Sequence, residues 1–224
     1  MFSSRTNWNL NPNALAHQWE ELLKSNQKLW DLTESNPTRV GIPYSPKLLE
    51  PLSNPEAGTY APSPQGLLTA RQAVASLYAE KGMEAKPEQI FLTASTSEAY
   101  SYLFRLLVDP QAEVLIPTPS YPLFQYLADL NDVKAVPYRL TYDQRWQIDF
   151  ESLRQALGKK SRALIVVHPN NPTGSYVSRL EWEQLIQICS QHALALIADE
   201  VFAEYRHSPW DSFTPQTLGG DSNV

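Results

Sequence analysis

One cysteine, eight glycines and no apolar run of bilayer-spanning length set the outer bounds on this 224-residue chain. Cys189 has no partner for an internal disulfide, which fits a reducing cytoplasm, and its place in a helical pattern reads as a buried structural thiol. So few glycines leave little material for phosphate loops. Neither Gly-x-x-x-x-Gly-Lys-Ser/Thr nor Gly-x-Gly-x-x-Gly occurs. Basic runs are also missing; a formal net charge of −6 and a pI near 5.2 argue against a nucleic-acid partner. His168 has no second histidine or cysteine at ligand spacing, so no metal site is expected. The opening MFSSRTNWNL lacks the apolar core of a secretory signal, so neither export nor a membrane partner is expected.

Proline, by contrast, is abundant at 18 residues, and 42% hydrophobic with 11% aromatic content indicates a globular chain. Many of the prolines fall in the tract TESNPTRVGIPYSPKLLEPLSNPEAGTYAPSPQG, whose Tyr, Ile and Leu content favours an ordered loop region over a disordered linker. Two helical patterns flank it. The first, 13–30, puts Leu15, Trp19, Leu22 and Leu23 on one face. The second, 66–81, is amphipathic through Leu67, Val74, Leu77 and Tyr78, with Gly82 where a terminating residue belongs. The expected organisation is an N-terminal helix and loop segment at 1–58 and an incomplete ligand-binding domain at 59–224.

From Glu88 onward short apolar strands alternate with helices: QIFLTA, then 97–107; EVLIP, then 121–130; KAVPYRL, then 150–157; RALIVVH, then a helix from Ser178; and LALIA. Ser178 and Glu181 form a capping-box pattern at that last helix. Such alternation predicts an α/β fold, a mainly parallel sheet with helices on both faces. Ligands bind such sheets at the carboxyl ends of the strands. Four exits therefore matter: TASTSEA, IPTPSYP, VVHPNNPTG and IADEVF.

Each exit has a chemical reading and a plainer one. Ser95, Thr96 and Ser97 with the free N–H groups of a helix start make an anion cradle, or an ordinary N-cap. Tyr121, after a stiff Pro-x-Pro-Ser turn, offers a ring to stack on a flat ligand, or packs in the core. Asn171 offers a donor and an acceptor at the sheet edge, and His168 reads as a loop support before a catalytic residue. Asp199 ends an apolar strand; its carboxylate must emerge into a cleft or meet a cation, because an unpaired buried charge costs several kcal/mol. Together the exits suit a planar, phosphorylated cofactor with a ring nitrogen.

The motifs Tyr60-x5-Gly66, PTPSYP, HPNNPTG and ADEVF resemble, in order and spacing, those of the class I/II aminotransferases, pyridoxal-phosphate (PLP) enzymes of fold type I in the aspartate-aminotransferase-like superfamily. The resemblance runs from about Asp31 to Tyr205 and implies transfer of an amino group between an amino acid and a 2-oxo acid. By it, Asp199 would face the pyridine nitrogen and keep it protonated, the ring then serving as an electron sink. Asn171 would bond the phenolic oxygen, Tyr121 would stack on the ring, and Ser95, Thr96 and Ser97 would hold the phosphate. Tyr60 would reach the phosphate of a neighbouring subunit, implying a homodimer. Asn36, in SNPT, resembles the loop that closes over the substrate carboxylate.

Two departures stand beside the match. Phe202 occupies the position where the family often has a tyrosine that assists the phenolic oxygen. The family's Schiff-base lysine lies beyond the aspartate and precedes a small C-terminal domain, yet no lysine follows Asp199, and Lys159 and Lys160 sit on a helix-to-strand connection. The expectation is a large-domain portion of an aminotransferase, inactive as an isolated chain. A PLP-dependent lyase, decarboxylase or synthase, and a non-catalytic binding domain, stay open on these residues.

Overall fold

The structure, a computed structural model, describes residues 2–25 and 28–205. Contacts divide the chain into two units, Asn7–Ser63 and the combination of Met1–Thr6 with Pro64–Val224. In the smaller unit, helix α1 (Ala14–Lys24) starts at Asn13, whose side chain accepts the Ala16 N–H at 2.8 Å. The helix predicted to reach Trp30 therefore stops at Lys24, with Ser25 as its cap. Two 3₁₀ turns, Pro46–Ser53 and Pro55–Gly58, follow; prolines at their first positions supply the fixed φ and need no N–H partner. None of the described residues of this unit is buried.

The larger unit holds α2 (Leu68–Glu80), α3 (Thr96–Leu107), β1 (Glu113–Thr118), α4 (Phe124–Leu130), β2 (Lys134–Asp143), β3 (Arg145–Ile148), α5 (Phe150–Ala156), β4 (Ser161–Val167), α6 (Arg179–His192) and β5 (Ala195–Asp199). The sheet order is β3-β2-β1-β4-β5. All pairs are parallel except β2 with β3, an antiparallel hairpin in which Leu140 opposes Ile148. Sequence reading missed that hairpin: TYDQRW has no Asn-Gly or Asp-Gly turn, and Gln144 itself takes the positive φ of 57°.

Period-two alternation sends neighbouring residues of one strand to opposite faces. Val114, Ala163, Ile165 and Val167 pack on one side with Tyr100, Phe104, Phe124 and Leu127 of α3 and α4. Leu115, Leu164 and Val166 pack on the other with Leu153 of α5 and Trp182, Leu185 and Ile188 of α6. Helices cover both faces, as predicted. Each fully buried Leu or Ile here contributes about 1.5–3 kcal/mol relative to exposure.

One predicted strand is absent. QIFLTA lies extended but pairs with no strand among the described residues; Phe91 is 65% exposed, and Leu92 N–H reaches only the Gln65 carbonyl, at 3.0 Å. Apolar, β-prone residues supply the propensity for a strand, but the ladder needs a neighbour.

Candidate functional site

Three of the four strand exits meet at one end of the sheet through named hydrogen bonds. Asn170, 4% exposed, donates from Nδ2 to the Pro119 carbonyl at 3.1 Å and to Thr173 Oγ1 at 2.9 Å, while Ser120 Oγ donates to its Oδ1 at 3.2 Å. This amide ties the loop after β1 to the loop after β4. Tyr121 and Asn171 adjoin the two loops it joins. His168 N–H donates to the Asp199 carbonyl at 2.8 Å, which joins the ends of β4 and β5.

His168 is buried, its Nδ1 accepts the Val177 N–H at 2.9 Å, and its ring meets Tyr176 edge-on. It supports the loop. Tyr121 is half-buried, set edge-on to Phe124 with centroids 5.8 Å apart. Asn171 is half-exposed, and its side chain makes no hydrogen bond to the described residues.

The fourth exit is the start of α3. Ser95 is its N-cap, the hydroxyl accepting the Glu98 N–H at 3.2 Å, and Glu98 accepts the Ala94 N–H at 2.6 Å in return. The Ala94 bond first, and then one from the Tyr102 hydroxyl, hold the Glu98 carboxyl below its ordinary pKa. So the plainer reading of Ser95 is present, and it leaves the anion reading intact. The amides of Thr96 and Ser97 open the helix and have no intrahelical acceptor. Thr96 is exposed and Ser97 half-exposed.

Thr96 and Asp199 line the same cleft of about 440 Å³, walled by Ala99, Leu103, Ile197 and Tyr78. Asp199 is half-exposed there, so its carboxylate emerges into a cleft, as the end of an apolar strand requires. Its Oδ1 accepts the Val201 N–H at 3.0 Å. Its Oδ2 accepts the Tyr100 hydroxyl at 2.7 Å. Tyr100 was not foreseen from the sequence, where it reads as one more core aromatic of α3. The available signal was its spacing: four residues after Thr96, it shares the helix face that meets the strand ends. Burial first, and then the Asp199 charge and hydrogen bond, push the Tyr100 phenol above its ordinary pKa, so it remains a donor.

Asn36 and Tyr60 belong to the smaller unit. Asn36 Oδ1 accepts the Thr38 N–H at 3.0 Å and the Thr38 hydroxyl at 2.7 Å, a local turn, and Tyr60 is 90% exposed. Phe202 sits just past Asp199, edge-on to Tyr205. Lys159 and Lys160 are exposed on the connection before β4. Among the described residues no group of three or more His, Cys, Asp or Glu is placed to hold a metal ion, and no helix is long and apolar enough to cross a membrane.

Comparison with known proteins agrees with this geometry. The model of the family "Aminotransferase class I and II" matches residues 44–220. The glutamate-pyruvate aminotransferase AlaA of Haemophilus influenzae is 30% identical over 184 residues, covering 81% of this chain and 45% of that protein. The mitochondrial alanine aminotransferase of Saccharomyces cerevisiae is 32% identical over 197 residues, covering 84% and 33%. Among solved structures, the alanine aminotransferase of Pyrococcus furiosus superposes with a TM-score of 0.71 at 29% identity, over 82% of this chain and 47% of that one. A Thermus thermophilus aspartate aminotransferase mutant gives 0.72 at 25%, over 88% and 52%. The chain thus spans about half the length of the relatives it matches, or less. Members of the matched family use pyridoxal 5'-phosphate. The family match covers more than half of the sequence, and this chain belongs to the class I and II aminotransferases.

Proposed function

We propose that the cleft between α3 and β5 is the PLP site of an enzyme that moves an amino group between an amino acid and a 2-oxo acid. The observation that carries this is the pairing of two unlike groups in one cleft: the donor-rich start of α3 at Thr96, and the Asp199 carboxylate. The donor set fits the cofactor. A phosphate dianion suits the amides of Thr96 and Ser97, which have no intrahelical acceptor, with the hydroxyls of Ser95, Thr96 and Ser97 beside them at a helix N-terminus. Asp199 would accept a ring N–H, Asn171 has a free amide for the phenolic oxygen, and Tyr121 offers its ring face.

When bound, PLP supplies an electron sink for breaking bonds at the amino-acid α-carbon. This chain's part is to bind, orient and keep the ring nitrogen protonated through Asp199. Leu103, Ile197 and Ala99 line the wall and lower the local polarity, which strengthens that charge-assisted contact. The finer expectations belong to the same proposal: a division at 58/59, a homodimer in which Tyr60 reaches the neighbouring phosphate, substrate-carboxylate contact by Asn36, and a cytoplasmic location.

Catalysis also needs an amine to carry the cofactor and shuttle the proton, and no lysine follows Asp199 in this sequence. We therefore expect the 224-residue chain to bind PLP reversibly and not to turn over. The test is borohydride reduction of the PLP-treated chain followed by peptide mapping, beside an assay for amino transfer from several amino acids to 2-oxo acids. The expected result is no specific pyridoxyl-peptide and no transfer. One labelled lysine with measurable turnover would overturn the expectation and identify the true catalytic amine.

A further inference from the structure

We infer that Tyr100 is a positioning residue for this cofactor: its hydroxyl holds the Asp199 carboxylate in the orientation from which a ring N–H is accepted. The inference rests on the reading of the cleft as a PLP site.

The geometry is specific. Asp χ2 is a broad, nearly two-fold torsion, so a carboxylate at a strand end rotates unless something holds it. Here each oxygen is held separately, Oδ2 by the Tyr100 hydroxyl at 2.7 Å and Oδ1 by the Val201 N–H at 3.0 Å. A carboxylate has about four acceptor sites, so these two bonds leave capacity for a third donor from the cleft. A charge-assisted hydrogen bond depends steeply on alignment, and a preset acceptor avoids the entropic cost of ordering it on binding.

Tyr100 is itself fixed. It is 4% exposed, edge-on to Phe124 with centroids 5.2 Å apart, and tilted against Phe104 at 5.9 Å. Phe124 also supports Tyr121 edge-on. One ring therefore braces both the tyrosine proposed to stack on the cofactor and the tyrosine that aims the carboxylate. The hydroxyl bridges residues 99 positions apart, from α3 to the end of β5.

A double-mutant cycle tests this with pyridoxamine 5'-phosphate labelled with nitrogen-15 in the ring, a probe that needs no lysine attachment. The proteins are the unsubstituted chain, Tyr100→Phe, Asp199→Ala and the double variant. Tyr100→Phe keeps the ring packing, and an unchanged thermal midpoint checks that it does. It should weaken binding about tenfold, because the freed carboxylate must then be ordered when the ring binds. It should also move the ring-nitrogen signal from the protonated toward the unprotonated position. In the Asp199→Ala background, the same substitution should change neither.

Equal loss in both backgrounds, or an unmoved nitrogen signal in Tyr100→Phe, would assign Tyr100 to packing and overturn the inference while the cofactor site stands. No uptake by the unsubstituted chain, or undiminished binding by Asp199→Ala, would remove the cofactor reading itself and Tyr100's role with it.

Discussion

Gly66 shows how closely one residue can be specified. Its φ is +90°, and a Cβ built there would lie 2.7 Å from Leu92 Cβ and 2.8 Å from Leu92 Cδ1. Gly66→Ala should therefore cost about 1–3 kcal/mol, read as a lower urea midpoint at unchanged slope. Gly82 is the control: its φ is +76°, but nothing lies within 4 Å, so Gly82→Asn should cost far less. Cys189 gives a prediction with a pH window. Burial pushes its thiol from an ordinary 9.0 up to about 12. The unfolded chain therefore loses that proton first, and ionisation favours unfolding. The thiol's contribution is fully present below pH 9 and is lost as pH rises toward 12. The stability difference between the unsubstituted chain and Cys189→Ala should narrow over that interval in urea titrations; a constant difference would count against a buried neutral thiol. Both residues were legible in the sequence, Gly66 in a motif and Cys189 in a helical pattern. Tyr100 was not, because an aromatic on an apolar helix face carries no mark of where its hydroxyl will land.

Among the elements, α6 shows what a local motif states and what it leaves out. The Ser178–Glu181 capping box forms as predicted: Ser178 Oγ accepts the Glu181 N–H at 3.3 Å, and Glu181 Oε2 accepts the Ser178 N–H at 2.8 Å. The remaining oxygen, Oε1, accepts the Ile148 N–H of β3 at 2.9 Å, and Glu181 is 7% exposed. One carboxylate thus finishes a helix and pins a hairpin, a long-range bond that no local pattern encodes. Ser178→Ala should cost about 1 kcal/mol, the value of a cap. Glu181→Ala also orphans a buried N–H and should cost about 2–4 kcal/mol. Comparable losses for the two variants in equilibrium unfolding would show that the Ile148 bond contributes little. The same distinction explains the two strand errors. Helix ends are written locally in caps, so both ends of α3 and α5 and the start of α6 were readable to within a residue. Strands exist through partners, so QIFLTA looked like one and lacks a neighbour, while RWQI gave no sign and has one.

At the scale of the whole molecule, the parallel crossovers bring the loops after β1, β4 and β5 to one end of the sheet, and α3 sets Thr96 and Tyr100 beside Asp199. That gathering was legible because alternating strands and helices fix which loops share an end. The identity of the ligand came from motif resemblance, since hydroxyls, an amide and a carboxylate name only donors and acceptors. The contributions proposed for Asn36 and Tyr60 belong to the unit of residues 7–63, most of whose large apolar side chains are exposed. The most direct test of the proposed PLP site is calorimetric titration of pyridoxal 5'-phosphate into the 224-residue chain and into Asp199→Ala. Reversible one-to-one uptake, weakened at least about tenfold by the substitution, is the expected result. Absence of saturable uptake, or equal affinity in the two proteins, would contradict it.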